Sequence, residues 1–534
     1  MNSFFDVSSI LRVCFLLVGL AVALIVGVFV GEGKWLPLAI LGSALVTAFC
    51  AKAIIHNLAA VCLVIATLDL SMAPAGFRLS AMEQMGIVAA VCWGLVWWQR
   101  NLNPRPVLEF TTVAGYDLFQ KTVLISVAYA LIHFAANAYS PYEYLAFGWR
   151  GASKAYAQVF GAFLMVVLLI KGRLLFPINA KRSKALLALF AAALTVTVLL
   201  GVVRAIMIGP SLNLDFAVQQ PGELERVFLL PGLNAEDSAF TLRILGPAAV
   251  LVGSIFFLSR PANLSPALPL YIATLGLIGS AVSGGRAALV FSGAFVVAAM
   301  IRSRKVVLAF GVGALLTIAV AALLVIPVSA LKEAPHSVQR SVGWLRPDLQ
   351  TAATDNIQGS TDWRWRLFLS AWEHYRTGGV RMILFGRSVG QMDSSDSLIT
   401  FITDEKANTE FAIRRVVTHN GLTDLLLGWG LVGYALVVVI SLSCCVMLFA
   451  YTAKFSPRSY GSCWTFAAAM FLSFWLVYTH IGGSFVWPMA IVLILTALSQ
   501  TDGLLPETGK SVVTRRSPVK PFAEPALAAN DKPA

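Results

Sequence analysis

The chain has 534 residues, of which 58% are hydrophobic and only 13% charged, and this composition excludes a soluble globular domain. The formal net charge of +13 does not indicate nucleic-acid binding, because the basic residues are spread over short segments between apolar runs. All seven cysteines lie within or at the edges of those runs, so neither a disulfide framework nor a cysteine-based zinc site is predicted.

Apolar runs long enough to cross about 30 Å of hydrocarbon recur along most of the sequence. They predict an all-α polytopic membrane protein with about 12–14 transmembrane helices, because barrel strands would alternate in polarity. The first run is too long for a signal-peptide core and is predicted to be retained as a span. Only Ala51 and Lys52 separate the second and third runs, so a re-entrant pair is an alternative there. The predicted spans are 10–30, 36–50, 53–70, 84–98, 122–139, 156–170, 184–203, 241–258, 267–282, 287–301, 306–326, 421–450, 461–480 and 484–499.

The orientation of the chain is predicted from the lysines and arginines of its loops. Short loops rich in these residues alternate with loops that hold few, and the basic loops are expected in the cytoplasm. Both termini are therefore predicted to be cytoplasmic, and two long polar stretches, 204–239 and 327–417, fall on the outer side. Residues 501–534 are rich in proline, alanine and charge, which predicts a disordered cytoplasmic tail.

Three cationic elements are predicted on the outer face. Arg286 follows two glycines in SGGRAAL, where the backbone can approach a ligand closely; the alternative is an arginine that snorkels to the interface. Arg364 and Arg366 lie in the long outer loop. His419 and Asn420 stand where that loop meets a predicted span, and the alternative for them is a simple capping turn.

The segment DWRWRLFLSAWEHYR in the long outer loop has helical periodicity. A helix is predicted from about Asp362, with Ser360, Thr361 or Asp362 itself as its N-cap. Its aromatic face is expected at the headgroup level of the membrane or against the helix bundle, and the two alternatives are compatible. Downstream, ILFGRSVG is typical of a tight turn that returns the chain toward His419. The aromatic face consists of Trp365, Phe368, Leu369, Trp372 and Tyr375.

Three motifs of different chemistry thus occur in a fixed order, with the long outer loop between the first and the last. In this order of motifs, roughly the C-terminal half of the chain resembles the bacterial O-antigen ligase and polymerase family. The N-terminal half has no motif of that family and shows only the hydropathy of membrane spans. The motifs are SGGRAAL at 283–289, the aromatic-arginine helix followed by LFGRSVG at 384–390, and HNGLTDLLLGWGLVG at 419–433.

The resemblance implies a multi-pass glycosyltransferase of the bacterial inner membrane. Its donor would be a glycan linked to undecaprenyl diphosphate at the periplasmic face, and its acceptor the hydroxyl of another lipid-linked repeat or of lipid A core. A polymerase would have a chain-length regulator as a further partner, and no cofactor is implied. The implied domains are N-terminal transmembrane helices at 1–266 and a ligase/polymerase-like membrane domain at 267–500 that includes a periplasmic loop at 327–417.

The resemblance also implies the roles of the outer-face residues. Arg286 and His419 would be catalytic, and the diphosphate would be bound by Arg364, Arg366 and Asn420. Charge developing on a leaving diphosphate can be met by arginines, whose planar fork pairs with phosphate, so no metal is predicted. His419 would either accept the proton of the acceptor hydroxyl or bind phosphate itself.

Two departures from the family pattern and one competing site leave these roles open. The family's loop arginine usually lies nearer its tryptophan, where this chain has Phe368, so either loop arginine can fill the role. Many members carry a glutamate where this chain has Gly428. A weak cation site at Asp393 and Asp396 is the alternative to the metal-free mechanism.

The long outer loop is close to neutral, with eleven basic and ten acidic residues between 327 and 417. Lipid A core is densely anionic and should attract a clearly basic surface, so polymerisation of exopolysaccharide or O-antigen repeats is favoured and ligation is the alternative. An alternative of another class is a lipid-linked oligosaccharide flippase or transporter, which would carry an ionisable group near the middle of a span. His133 is the main candidate for such a group.

Overall fold

The computed structural model describes residues 50, 53–68, 81–98, 113–136, 152–172, 175–208, 228–230, 233–283, 286–305, 307, 322, 324–334, 339, 343, 346–386, 421–479 and 487–505. These residues are mostly helical. The helices are α1 (Leu58–Leu68), α2 (Ala81–Trp98), α3 (Tyr116–Ala136), α4 (Ala152–Lys171), α5 (Ala180–Ile208), α6 (Ala235–Ser259), α7 (Ala267–Val282), α8 (Arg286–Arg302), α9 (Val328–Lys332), α10 (Ala352–Thr377), α11 (Gly379–Phe385), α12 (Gly421–Thr452), α13 (Tyr460–Thr479) and α14 (Trp487–Leu498). A short antiparallel hairpin, β1 (Phe228–Leu230) and β2 (Leu233–Asn234), precedes α6.

The apolar helices make this a mostly helical, membrane-embedded protein. Four of the described helices are long and apolar enough to cross a membrane, within Ala180–Val203, Thr241–Ser259, Gly421–Thr452 and Tyr460–Val477. Shorter apolar helices accompany them. All but three of the predicted spans coincide with described helices; the three, 10–30, 36–50 and 306–326, lie largely outside the described residues. The total of about 12–14 spans therefore stays a prediction.

Small residues allow α6 and α7 to pack with their backbones almost in contact. A Cβ added to Gly246 would lie 2.9 Å from the carbonyl oxygen of Gly276, and one added to Gly276 would lie 2.7 Å from that of Gly246. The hydroxyls of Ser280 on α7 and Ser292 on α8 are 3.0 Å apart and hydrogen-bonded. The helices on either side of the first motif, α7 and α8, are consequently bonded to each other and packed on α6.

Loops that the charge pattern assigns to the cytoplasm contact one another. The backbone amide of Ile178 donates to the carbonyl of Ser499 at 2.7 Å, and the Lys184 ammonium donates to the carbonyl of Asn263 at 3.3 Å. At the same end of the bundle, Arg302 donates to the hydroxyl of Ser462 at 2.6 Å. These loops therefore share one side, and which side faces the cytoplasm stays a prediction.

The predicted span at 421–450 is interrupted. Gly430 has φ 66° and ψ −174°, which breaks α12 into a short segment at 421–429 and a long one at 431–452. At 1.5 Å per residue the second segment is about 33 Å long and crosses the hydrocarbon without the first. In the first segment every residue except Leu422 is buried. The predicted span is thus present but contains a break, which hydropathy could not reveal because a glycine inside an apolar run hardly changes it.

Candidate functional site

The predicted site residues are described to different extents. His419 and Asn420 lie outside the described residues, directly before the buried Gly421 at which α12 begins. Arg286 is the first residue of α8, and its side chain also lies outside the description. Arg364 and Arg366 are exposed on α10. The loop arginines can therefore be compared directly, whereas the histidine is known through the helix that follows it.

The helix of the outer loop is longer than predicted. Because α10 begins at Ala352, the three expected capping residues at 360–362 lie inside the helix, and that expectation was wrong. The ten residues before Asp362 are mostly small or polar and show no apolar repeat, so periodicity could not reveal them. A helix nucleated by its buried C-terminal half can extend into such a segment, since propagation costs far less than nucleation.

The aromatic face predicted on α10 divides into two parts. Tyr375 is buried together with Leu367 and Ala371, and these three residues pack α10 onto the bundle. Trp365 and Trp372 are instead 61% and 41% exposed. One edge of this face thus suits packing against the bundle. The other edge exposes aromatic side chains, which suits the headgroup level of the membrane.

Helical geometry separates the two loop arginines. Arg364 precedes Leu367 by three residues and Ala371 by seven, so it lies on the edge of α10 that faces the bundle. Arg366 precedes Ala371 by five residues and points away from that edge. Arg364 has no carboxylate partner among the described residues, which leaves its guanidinium for a ligand.

Other arginines of the loop are engaged with carboxylates close to them in sequence. Arg346 donates to both oxygens of Asp348, at 2.8 and 2.7 Å, and to the carbonyl of Ile326 at 2.8 Å. Its guanidinium lowers the pKa of the Asp348 carboxyl. Arg376 pairs with Glu373 at 2.7 Å on the exposed side of α10. These two arginines are already neutralised, and Arg346 also ties the start of the loop to Ile326.

The C-terminal end of α11, with Gly386, lies directly against the break in α12. Gly386 has φ 76°, and a Cβ added to it would lie 2.6 Å from the carbonyl carbon of Gly428 and the nitrogen of Trp429. A Cβ on Gly430 would overlap the backbone of Gly386 and Leu384. We call this contact between 384–386 and 428–430 the glycine junction. It brings LFG of the second motif onto GWG of the third. The turn predicted at ILFGRSVG lies mostly outside the described residues and stays a prediction.

The path from α10 to the glycine junction is short and bonded. The hydroxyl of Tyr375 donates to the carbonyl of Ile383 at 2.8 Å, which joins α10 to α11. Burial raises the pKa of this hydroxyl, so it stays protonated and able to donate. The position of Arg364 is therefore linked through α10 and α11 to the glycine junction.

His133, the ionisable residue on which the transport alternative depends, contacts the glycine junction. It lies in the last turn of α3, where its Nε2 is 2.9 Å from the carbonyl oxygen of Phe385 at the glycine junction. Hydropathy alone could not show this, because the contact joins residues 252 positions apart.

Sequence reasoning also missed Arg243, near the predicted start of its span. On α6, its Nε donates to the carbonyl of Ser283 at 3.4 Å, directly before the two glycines that precede Arg286. Arg243 further lines a small cavity with Ala288 and Phe291 of α8 and with Phe471 and Phe474 of α13. A second cation thus lies beside the first motif, and a run of aromatic contacts packs α8 against α13, the neighbour of α12.

Asp424 is a second residue near the site that the sequence analysis did not single out. It is 6% exposed on the segment at 421–429, five residues after His419, and Thr423 beside it is 1% exposed. A carboxylate buried in an apolar segment is costly unless it is hydrogen-bonded, and such groups are common at functional sites. Its place in an apolar run was the signal that could have marked it.

No group of three or more histidine, cysteine, aspartate and glutamate side chains suited to a metal ion occurs within the described residues. Asp393 and Asp396 lie outside that part of the chain. Searches of known protein families, of curated proteins and of solved structures found no match to this chain. Its function is therefore inferred from its own residues.

Proposed function

We propose that this protein is an inner-membrane glycosyltransferase that moves a glycan from undecaprenyl diphosphate to an acceptor hydroxyl at the periplasmic face. The glycine junction is the observation that carries the proposal. It joins the loop helix, whose Arg364 has no carboxylate partner in the described part of the chain, to the segment that follows His419. Two of the three motifs therefore meet although 34 residues separate Gly386 from Gly421.

The chemistry of the transfer requires a cation at the leaving group. The anomeric carbon–oxygen bond to the diphosphate breaks, a new bond forms to the acceptor oxygen, and undecaprenyl diphosphate leaves with the bonding electrons. Arg286 and Arg364 would hold the diphosphate, with Arg243 beside the first motif and Asn420 as further donors. Direct displacement of this kind inverts the anomeric centre.

His419 would take the proton of the acceptor hydroxyl as the new bond forms. A neutral imidazole is suited to this role near pH 7, because its ordinary pKa lies close to that pH. The histidine would lie at the outer end of the buried segment at 421–429, which the glycine junction holds against the loop.

The two loop arginines provide an internal comparison. Arg364→Ala is expected to lower glycan transfer by about 10²-fold, the usual cost of one fixed donor to developing charge. Arg366→Ala removes the same charge from the far edge of α10 and should stay within about threefold of the wild type. Product formation would be measured in membranes that contain equal amounts of each variant. A larger loss for Arg366→Ala would place the diphosphate on the other edge of α10.

Polymerisation of repeats is the specific reaction that we favour, because the outer loop has nearly equal numbers of basic and acidic residues. In a deletion strain, high-molecular-weight polysaccharide should disappear while single repeats remain on the lipid carrier or on lipopolysaccharide. Full-length polymer on undecaprenyl diphosphate, together with bare lipopolysaccharide, would instead identify a ligase. Loss of polymer with repeats retained on the cytoplasmic side would identify a flippase, the alternative for which His133 is the main candidate.

A further inference from the structure

Two side chains of α3 contact both halves of the glycine junction. The Nε2 of His133 is hydrogen-bonded to the carbonyl of Phe385 on the loop side, and its ring stacks on Trp429 on the α12 side. Because the Phe385 carbonyl can only accept, Nε2 must carry the hydrogen of that bond. One imidazole therefore bridges the loop and the helix.

Tyr129, one turn earlier on α3, bonds the break itself. Its hydroxyl donates to the carbonyl of Trp429 at 2.6 Å. A helix that is interrupted leaves carbonyl groups without their usual amide partners four residues later, and a buried carbonyl requires another donor. The non-helical backbone at Gly430 creates this need, and the tyrosine meets it.

Aromatic packing fixes both donors in place. The indole of Trp429 is fully buried and stacks on the His133 ring, with 4.5 Å between centroids and 20° between planes. Phe160 of α4 meets the same indole edge-on at 5.3 Å. The two donors consequently have little freedom to leave their carbonyl partners.

We propose that His133 and Tyr129 are positioning residues, which hold the loop at 384–386 against the break in α12 and thereby set the place of Arg364. This inference rests on the proposed function in naming Arg364 as a diphosphate ligand, whereas the docking of the loop is independent of any activity. Neither residue is expected to touch the donor or the acceptor.

Three substitutions separate the hydrogen bonds from the packing. His133→Phe keeps a ring for stacking on Trp429 and removes the donor, while His133→Gln keeps an amide donor at nearly the reach of Nε2 and removes the ring. Tyr129→Phe removes only the hydroxyl. The histidine pair thus tests which feature of the side chain matters. The tyrosine variant tests the same attachment of the loop with the loss of a single oxygen atom.

Amide hydrogen exchange of the full-length protein in lipid nanodiscs measures, without any substrate, how firmly the loop at 384–386 is docked on α12. The amides of α11 and Gly386 should exchange about three- to tenfold faster in His133→Phe and Tyr129→Phe, the effect of one lost hydrogen bond. His133→Gln should stay near the wild type, and α6 and α7 should exchange equally in all four proteins. Unchanged exchange of α11 in both phenylalanine variants would overturn the proposal, as would equal exchange in His133→Gln and His133→Phe.

Kinetics give the second readout. Donor binding would draw an undocked loop back, so the phenylalanine variants should raise the donor KM by about three- to tenfold with kcat near the wild type. A fall in kcat at unchanged KM would assign these residues to the chemical step and overturn the positioning role. If the wild type transfers no glycan, the proposed function fails. The exchange experiment still shows whether His133 and Tyr129 hold the loop against α12.

Discussion

Replacing His419 by alanine is expected to lower glycan transfer by about 10²- to 10⁴-fold, the usual cost of losing a positioned general base. Arg286→Ala should give a loss of about 10²- to 10³-fold, because a fixed cation on the leaving diphosphate stabilises charge that exists only in the transition state. Both variants should reach the membrane at wild-type levels. Transfer from an undecaprenyl-diphosphate-linked glycan in isolated membranes is the measurement.

Thr418→Ala is the matched control for the histidine, since it removes a capping hydroxyl one residue away and leaves the imidazole. If His419→Ala and Thr418→Ala both keep near-full activity, the His-Asn pair is only a capping turn. Transfer is also expected to persist in EDTA. If EDTA abolishes activity and a divalent ion restores it, a metal ion stabilises the leaving diphosphate. Asp393 and Asp396 would then be the candidate ligands.

Gly430→Ala is expected to disrupt the glycine junction. The backbone at Gly430 lies in a region that is almost restricted to glycine, and occupying it with another residue costs about 1–3 kcal/mol. The added methyl would also overlap the backbone of Gly386 and Leu384, which cannot move as a flexible side chain can. We expect folded protein in the membrane to fall, and the remaining protein to lose at least about tenfold in activity together with rapid amide exchange in α11.

Gly161→Ala provides the control for this substitution. Gly161 lies inside α4, and no heavy atom lies within 4 Å of the Cβ that alanine would add. Alanine is favoured over glycine in a helix by about 1 kcal/mol or less, so this variant should be as stable and active as the wild type. Equal behaviour of the two variants, measured by folded yield and transfer rate, would show that the loop does not need the conformation at Gly430.

The sequence predicted the helices well because the signal for them is local. An apolar run such as 461–480 identifies its helix from its own residues, and α13 occupies Tyr460–Thr479. The start of α10 at Ala352 could not be predicted, since the ten residues before Asp362 are mostly polar or small and show no apolar repeat. Residues that depend only on neighbours in the chain were thus predicted better than residues that depend on the fold.

The candidate site was predictable in its chemistry but not in its assembly. Arg364 and Arg366 are equivalent in the sequence, and only the burial of Leu367 and Ala371 shows which edge of α10 faces the bundle. His133 stands out in the sequence as an ionisable residue in an apolar run. Its partner Phe385 could not be predicted, because it is distant in the chain. Such pairings follow from tertiary packing, which no periodic pattern encodes.

The outer loop meets the break in α12 through main-chain atoms. At the glycine junction, side chains of α3 bond carbonyl groups, and the glycines contact main-chain atoms. This contact therefore does not depend on which side chains most loop residues carry. Under the proposed function, residues 387–417 can therefore vary with the acceptor without a change at this contact. Chimeric proteins in which this stretch is exchanged should therefore keep this contact and acquire the acceptor preference of the protein that supplied the loop.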